Sequence, residues 1–284
     1  MKKIFAILLC FILVGCVSTS QKKSSGKVVI GASTNNEDAL IAELYADVLE
    51  SKGYDVDREY GLSEQDIFNK LKGNKINIAF NGMENISDYL QVGSNSADND
   101  YYEMASNKIQ SKYNIRLQSY TKANRKISFV MEKTNSKKFN VSKLSELKNV
   151  SSKLVVGVDS SHSNKFTELC ELYGIKDWDS KSVVAYKKRY RKMLDKRVDI
   201  VMGSLNDSPI KSKRYVVLKD DKSYCKSNPC VLMVNQDYLK NNKKVVSYWN
   251  VMKNKITDKK LSTLNNQMNS KGLSIEDMGL DNLM

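Results

Sequence analysis

Residues 27–49 read KVVIGASTNNEDALIAELYADVL, and this stretch decides the fold. Residues 27–31 form a short run rich in β-branched side chains, which predicts a strand. After a polar loop at 33–38, apolar residues recur at 41, 44, 45, 48 and 49, the spacing of one helix face. Asn36 can cap this helix and Gly53 can end it. The stretch therefore predicts a strand followed by a helix.

The same alternation continues along the chain. Strands are predicted near 55–58 and 76–80, with a helix at 64–71 between them, so that residues 27–80 form a β-α-β-α-β unit. A second such unit has strands at 154–158, 183–185 and 198–202 and helices at 166–173 and 189–196. Further strands are predicted at 127–132, 215–218 and 231–234, before a mostly helical tail at 236–284. The predicted fold class is α/β, with parallel sheets.

Composition argues against an enzyme. The 284 residues suffice for two domains, and 46 Lys and Arg against 32 Asp and Glu give a net charge of +14. The single histidine excludes a metal site that needs two imidazoles. The signatures G-x-x-x-x-G-K-[ST], G-x-G-x-x-G and G-x-S-x-G are absent. We expect no catalytic residue, no metal and no cofactor.

The first sixteen residues predict the compartment. Lys2 and Lys3 precede an apolar run at 4–14, which is too short to span a bilayer and typical of a secretory signal. Residues 13–16, Leu-Val-Gly-Cys, resemble the bacterial lipoprotein signal, in which the cysteine is acylated. A plain signal peptide with a chance cysteine is the alternative. We expect a signal peptide at 1–15, a lipid on Cys16, a flexible lipidated tether at 16–26, and export to the outer face of the bacterial cytoplasmic membrane.

Export changes the meaning of the positive charge. Removal of residues 1–15 takes away Lys2 and Lys3, which leaves 269 residues with a net charge of +12. In an exported protein this charge favours anionic envelope polymers or membrane as partners, and we expect no nucleic acid. The densest basic cluster, 187–192, is interpreted as a solvated helix face rather than an anion site.

Polar loops predict a ligand site. Ligands of open parallel sheets bind beyond the carboxyl ends of the strands, and the loops at 33–37, 81–84, 159–163 and 203–207 follow such ends. If the two units face each other, these loops line one cleft suited to a small polar solute, although polar residues also populate ordinary loops. The candidate ligand-binding residues are Asn35, Asn36, Glu37, Asn81, Met83, Ser160, Ser161, His162, Tyr186, Asn206, Asp207 and Asn228.

The chain resembles the osmoprotectant-binding proteins, which are the glycine betaine, choline and carnitine receptors of ABC importers. The matching positions are 28–33, 37, 43–50, Tyr190 with 198–200, 206–207, 216–222, 256–258 and 264–265, so the resemblance covers nearly all of 27–284. It implies a two-lobed, periplasmic-binding-protein-like fold of type II, whose ligand cleft lies between lobes joined by crossing strands and closes by a hinge. Lobe 1 would comprise 27–125 and 232–284, and lobe 2 would comprise 126–231. The resemblance also implies a monomer that passes a small solute to an ABC permease and ATPase.

Departures from the family fall in the expected ligand pocket, where family members hold a quaternary ammonium with aromatic rings. Residues 80–83, Phe-Asn-Gly-Met, stand where the family has proline, acid and tyrosine, and 226–229, Lys-Ser-Asn-Pro, replace two prolines and two tyrosines. Tyr120, Tyr186 and Tyr224 could rebuild a cage. Three functions stay open: an osmoprotectant receptor, a receptor for an amino acid or polyamine, and a non-transporting sensor or surface interaction lipoprotein.

Histidine and cysteine leave alternatives open. His162 stands where an aromatic residue is common in the family, and it could contact a ligand or cap the helix that contains Phe166. Cys225 and Cys230 flank a short loop of an exported chain, so that both a disulfide and two free thiols are consistent with the sequence. Cys170 lies on the predicted apolar helix face and is expected in the core.

Overall fold

The structure is a computed structural model, and it describes residues 26–92, 98–159, 162–185 and 188–279. The strands of these ranges are β1 (Gly26–Ser33), β2 (Tyr54–Leu62), β3 (Ile78–Gly82), β4 (Ile115–Tyr120), β5 (Ile127–Glu132), β6 (Val155–Val158), β7 (Ser180–Val183), β8 (Ile200–Ser204), β9 (Tyr215–Val217) and β10 (Cys230–Asn235). The helices are α1 (Asn36–Ser51), α2 (Glu64–Lys72), α3 (Met83–Leu90), α4 (Asp98–Tyr113), α5 (Lys133–Phe139), α6 (Ser163–Tyr173), α7 (Arg189–Leu194), α8 (Gln236–Asn241), α9 (Lys244–Met252) and α10 (Asp258–Lys271).

The strands form two five-stranded sheets, one in each lobe. The sheet of the first lobe has the order β2-β1-β3-β10-β4, in which β1 is parallel to β2 and β3, whereas β10 is antiparallel to β3 and β4. The sheet of the second lobe has the order β7-β6-β8-β5-β9, in which β6 is parallel to β7 and β8, whereas β5 is antiparallel to β8 and β9. The predicted α/β class is confirmed, although both sheets are mixed.

The chain passes between the sheets twice. Residues 121–126 connect β4 to β5, and residues 218–229 lead back from β9 to β10. We name residues 26–125 and 230–279 the first lobe and residues 126–229 the second lobe. The sequence predicts that the chain returns from lobe 2 to lobe 1 between residues 231 and 232. This boundary falls inside β10, which pairs with β3 from Cys230 onward. Cys230 and Val231 therefore belong to the first lobe.

Helix α1 is buried on more than the one face that its spacing predicts. The predicted positions Leu44 and Tyr45 are fully buried, and so are Leu40 and Ala42 on other sides of the helix. The reason is that α1 packs between the sheet and the C-terminal helices. The rings of Tyr45, Phe80 and Trp249 meet edge to face with centroids 5.2–5.9 Å apart, which joins α1, β3 and α9 into one core.

Several predicted boundaries shift in the structure. The third strand of each unit lies about two residues later than predicted, since β3 ends at Gly82 and β8 at Ser204. Strand β7 ends at Val183, where the sequence pattern places its start. Helices α3 and α4 and strand β4 were not predicted. Within the described residues no helix has the length and apolarity that crossing a membrane requires.

The cysteines Cys170, Cys225 and Cys230 are buried free thiols, so that the disulfide alternative for the last two is wrong. Cys225 packs in the core of the second lobe, and Cys230 packs in the core of the first lobe at the start of β10. The two side chains thus belong to different cores, which sequence spacing does not reveal. Cys16, the predicted lipidation site, lies outside the described residues.

Candidate functional site

The carboxyl ends of β1 and β3 in the first lobe and of β6 and β8 in the second lobe lead into the predicted site loops. A cross-lobe ion pair joins two of them, between Lys165 of α6 and Glu84 of α3. Residues 208–211, which follow β8, contact α10 of the first lobe. The ends of these strands therefore approach one another across a single cleft.

Glu37 lies at the start of α1, at the carboxyl end of β1. Its side chain is only 5% exposed, and its Oε1 accepts a hydrogen bond of 2.8 Å from Nδ2 of Asn265 in α10. Burial raises the pKa of Glu37 to about 7; Arg125 lowers this pKa, and the carboxylate of Asp207 in the other lobe raises it. Within the described residues Glu37 forms no ion pair. The cleft thus contains a buried acid whose charge is not neutralised by a salt bridge.

The next residue of α1 has a partner on the crossing between lobes. Asp38 is fully buried, and its Oδ1 lies 2.5 Å from Nη1 of Arg125. Its Oδ2 accepts a 2.7 Å hydrogen bond from the hydroxyl of Ser33. Nε of Arg125 donates a hydrogen bond of 2.8 Å to the carbonyl of Asn228. This bond links the outgoing crossing, residues 121–126, to the returning crossing, residues 218–229. This buried ion pair therefore ties both crossings to the base of the cleft.

Asp207 is the corresponding acid of the second lobe. It is 6% exposed and pairs with the guanidinium of Arg189 at the start of α7. Its Oδ2 accepts hydrogen bonds from the hydroxyl of Tyr190 at 2.7 Å and from the backbone N–H of Ser204 at 2.9 Å. The side chain is thus held in place by groups from β8 and α7. Gly203 makes this possible, because a Cβ there would lie 2.8 Å from Oδ2 of Asp207.

Two buried amides in the cleft loops have unused hydrogen-bonding capacity. Asn206 is fully buried, and neither its Oδ1 nor its Nδ2 has a partner among the described residues. Asn81 is also fully buried; its Oδ1 accepts from Gly82 N at 2.8 Å, whereas its Nδ2 has no partner there. Unsatisfied buried polar atoms are costly and are usually matched by a ligand or water. Asn81 and Asn206 are thus the two buried amides of the cleft loops that have unpaired polar atoms among the described residues.

The start of α3 is fitted closely against the returning crossing. Oδ1 of Asn228 accepts the backbone N–H of Glu84 at 2.9 Å, which satisfies one free donor at the helix N-terminus. A Cβ at Gly82 would lie 2.3 Å from this same oxygen and 2.8 Å from Nη2 of Arg125. Glycine at position 82 is thus required by close approach. Asn228 acts as a cap for α3.

Lys165 places a protein cation in the cleft. Besides the ion pair with Glu84, its Nζ lies 5.8 Å from the ring centroid of Tyr224. Burial lowers the pKa of Lys165. The Tyr224 hydroxyl donates to Glu168, so the ring is already engaged by a cation and by a hydrogen bond. Tyr120 is 40% exposed and packs edge to face on Tyr102. Tyr224 thus already has a cation beside its ring, whereas Tyr120 packs on Tyr102 and stays partly exposed.

The structure brings together five of the predicted site residues: Glu37, Asn81, Asn206, Asp207 and Asn228. Three predicted positions, Ser160, Ser161 and Tyr186, lie outside the described residues. Met83 lies elsewhere, since its side chain is 3% exposed and packs with Ile86 in a core of the first lobe. Met83 is the first residue of α3, and its side chain packs into this core instead of joining the polar loop.

Two further positions, Asn36 and His162, had helix-cap interpretations. Asn35, not Asn36, caps α1, because its side chain accepts the N–H of Glu37 at 2.8 Å. Asn36 is the first helical residue and is partly exposed. His162 occupies the N-cap position of α6 without a side-chain capping bond, and its Nδ1 lies 2.7 Å from Asp159. His162 therefore occupies the position that the capping alternative gives it, and its side chain contacts Asp159.

Sequence reasoning missed Arg125, Lys165, Arg189 and Asn265. Arg189 belongs to the basic run that was interpreted as a solvated face, yet it is 4% exposed and pairs with Asp207. The basic residues follow no motif, and only their partners across the fold give them a role. Among the described residues no group of three His, Cys, Asp or Glu side chains could hold a metal ion.

Comparison with known proteins agrees with this arrangement. Residues 26–279 match the family described as the substrate binding domain of the ABC-type glycine betaine transport system. The carnitine transport binding protein OpuCC of Listeria monocytogenes is 24% identical over 151 residues, which are 50% of this chain and 47% of that protein. This chain thus matches about half the length of that curated relative.

Solved structures show the same fold at low identity. A glycine betaine/carnitine/choline ABC transporter structure superposes with a TM-score of 0.71 at 19% identity, covering 88% of this chain and 95% of the other. Lactococcal OpuAC, in its closed-liganded conformation with glycine betaine, gives a TM-score of 0.63 at 13% identity over 89% and 92% of the two chains. The fold is that of the type II periplasmic binding proteins, as predicted. Because the family match covers almost the whole described chain, the protein belongs to the substrate-binding domains of ABC-type glycine betaine transport systems.

Proposed function

We propose that this protein is the extracytoplasmic solute-binding lipoprotein of an ABC importer, and that it binds an osmoprotectant with a quaternary ammonium group in the cleft between its lobes. Glycine betaine, carnitine and choline are the solutes that we infer. The observation that carries the proposal is the buried carboxylate of Glu37, which forms no salt bridge within the described residues. A quaternary ammonium cannot donate a hydrogen bond, so its recognition depends on negative charge or on aromatic faces. Glu37 supplies that charge.

Charge compensation argues for the same role. Three neighbouring acids of the cleft, Asp38, Glu84 and Asp207, each pair with a protein cation. A solute cation next to Glu37 would give this fourth acid a partner. A buried charge without a partner raises the free energy of the solute-free protein. A bound cation would pair with this charge, and the free energy recovered would contribute to the affinity. The aromatic cage of the family is thus replaced, in this proposal, by a carboxylate.

Calorimetric titration tests this proposal with glycine betaine, carnitine, choline and proline betaine. We expect binding to the wild type, weakened at least about tenfold by Glu37→Gln, which corresponds to about 1.4 kcal/mol. Glu171→Gln, which removes an exposed carboxylate from α6, is the matched control and should leave the affinity unchanged. Absence of binding by all four amines at millimolar concentration, alongside clear binding of another solute, would overturn the proposal.

A second candidate is a receptor for an amino acid or polyamine. Both side-chain polar atoms of Asn206 are buried without a partner among the described residues, which favours a solute that can donate and accept hydrogen bonds. A primary amine could bond to such an amide, whereas a quaternary ammonium could not. Spermidine, putrescine and polar amino acids therefore belong in the same titration. Tight binding of one of them, lost in Asn206→Leu, would favour this candidate.

Delivery to a permease requires that the lobes close on the solute. The two crossings, 121–126 and 218–229, supply the connections about which the lobes could rotate. We propose that the monomeric protein opens and closes in this way and presents the closed form to its permease and ATPase. Small-angle scattering should give a smaller radius of gyration with saturating solute than without it. An unchanged curve would contradict hinge closure.

The anchor is the last part of the proposal. Signal peptide removal after Gly15 and acylation of Cys16 would hold the protein on the outer face of the cytoplasmic membrane. Cys16→Ser should abolish incorporation of a palmitate analogue in growing cells and release or trap the protein. Equal labelling of wild type and variant would show that Cys16 is not the acylated residue.

A further inference from the structure

The second lobe has a basic end that the cleft does not use. Its strands β6 and β8 run toward the cleft, whereas β5 runs away from it and ends at Glu132. Glu132 pairs in register with Tyr215, the first residue of β9. The end of β5 and the starts of β8 and β9 therefore meet at the side of the second lobe opposite the cleft. We call this side the distal pole.

A cavity of about 400 Å³ lies at the distal pole, lined by Glu132, Lys133, Thr134, Lys137, Lys196, Lys213 and Arg214. The buried carboxylate of Glu132 holds Lys196 on one oxygen and Arg214 on the other, with Nη2 of Arg214 at 2.7 Å. Although burial raises the pKa of Glu132, hydrogen bonds from these two cations lower it below its ordinary value. The single acid of the cavity is thus charged and already shared between two bases.

Three further cations of the cavity have no such partner. Lys133 and Lys137 lie four residues apart on α5 and so share one face of that helix. Lys213 precedes β9, next to Arg214. All three side chains are exposed, and within the described residues none of them forms an ion pair. With five bases against one acid, the lining carries a net charge of +4.

The positive charge of the whole chain is concentrated in this lobe. Residues 126–229 contain 23 Lys and Arg against 12 Asp and Glu, a net charge of +11. Residues 16–125 and 230–284 together contain 21 against 20, a net charge of +1. The cavity therefore lies in a field that attracts anions, and the near-neutral first lobe provides an internal comparison.

We propose that the distal cavity is a second binding site, separate from the cleft, and that it takes phosphate groups of a polyanion. Lysine ammonium groups bind phosphates as point charges, and a net charge of +4 around about 400 Å³ calls for several negative charges in a small volume. Linked phosphates supply that charge density. Lys133, Lys137 and Lys213 would contact the phosphates, while Glu132 fixes Lys196 and Arg214 at the rim.

Long-chain inorganic polyphosphate and pyrophosphate are the probes, with calorimetric titration at several salt concentrations. The test variant K133Q/K137Q/K213Q removes the three exposed lysines of the cavity. The control K75Q/K108Q/K255Q removes three exposed lysines from the first lobe and so has the same net charge. We expect the test variant to weaken polyphosphate binding at least tenfold and the control less than threefold. Each lysine–phosphate contact contributes about 0.7–0.9 to the slope of log Kd against log salt concentration. The slope for the test variant, which lacks three such contacts, should therefore be smaller than that of the wild type by about two.

The outcomes separate the sources of phosphate and the competing explanations. Pyrophosphate binding that the test variant loses supports a site for small polyphosphates, and polymer binding without pyrophosphate binding supports a site for a phosphate chain. Equal weakening by both triple variants would show attraction by overall charge and overturn the proposal. So would absence of binding to either probe, or binding only to phosphatidylglycerol vesicles. Unchanged urea unfolding and solute binding in the cleft verify that the test variant folds.

Discussion

Replacing Glu37 by glutamine should make the stability of the protein less dependent on pH. The Glu37 side chain is 5% exposed, and burial raises its pKa from 4.5 to about 7. Between these values the folded protein holds a proton that the unfolded chain has released. The stabilising contribution of this protonation is therefore complete below pH 4.5 and is lost as the pH rises through 7. Glutamine keeps the oxygen that accepts from Asn265 and does not titrate.

The magnitude follows from the two pKa values. Each pKa unit corresponds to about 1.4 kcal/mol. Between pH 5 and pH 8, the free energy of unfolding of the wild type should fall by about 2.5 kcal/mol relative to that of the Glu37→Gln variant. In a chain of this size such a difference changes the melting temperature by about 5–10 °C. The effect is large enough to measure directly.

Urea unfolding at pH 5, 6, 7 and 8 in solute-free buffer measures this difference. The Glu171→Gln variant, which loses an exposed carboxylate, should follow the wild type. Parallel stability curves for wild type and Glu37→Gln would refute the reasoning, since they would mean that Glu37 titrates alike in the folded and unfolded chains. A solute cation pairs with the ionised carboxylate, so its Kd should also be about 30-fold weaker at pH 5.5 than at pH 8.

Three other features can be tested in the same way. Gly82→Ala should destabilise the protein by about 1–3 kcal/mol in urea unfolding, because its Cβ would lie 2.3 Å from an amide oxygen of the returning crossing; unchanged stability would argue against this close packing. Lys165→Gln removes the cross-lobe ion pair with Glu84, so the solute-free protein should show a larger radius of gyration in small-angle scattering, and an identical curve would assign the pair no role in closure. The thiols of Cys225 and Cys230 should react with a maleimide at pH 8 only after unfolding, since burial shields them and raises both pKa values; mass spectrometry of fast labelling in the native state would contradict this.

The α/β alternation could be predicted because it depends on local apolar spacing, but the start of α3 could not. Helix α3 begins directly after β3 with Gly82, which has no side chain, at its N-cap position, and its capping side chain comes from Asn228, 144 residues away from Glu84. The polar residues at 81–84 therefore look like a loop in the sequence. Helix α4 was missed for a related reason, since its residues are mostly polar and show little amphipathic spacing. Helix α3 does have an apolar face at Met83, Ile86 and Leu90, whereas α4 depends on tertiary packing rather than on a local pattern.

The acids of the site could be predicted, and their partners could not. Glu37 and Asp207 follow the ends of strands, a rule that needs only the order of elements. Arg125 lies 87 residues from its partner Asp38, and Lys165 lies 81 residues from Glu84. Nothing in the local sequence distinguishes these bases from the many exposed lysines and arginines of the chain. Only the folded arrangement shows which of them are buried.

The position of β10 has a consequence for how the chain reaches its native state. In the first sheet β10 fills the place between β3 and β4, yet it follows the complete second lobe in sequence. The chain is synthesised from its N-terminus. Residues 26–120 contain four strands of the first sheet and lack β10, which separates β3 from β4. Residues 127–217, in contrast, contain all five strands of the second sheet. The later-synthesised lobe can therefore become native first. The first lobe can complete its core only after β10 and Trp249 have been synthesised, because both contribute side chains to that core. During that interval the facing edges of β3 and β4 are unpaired and open to pairing with other chains.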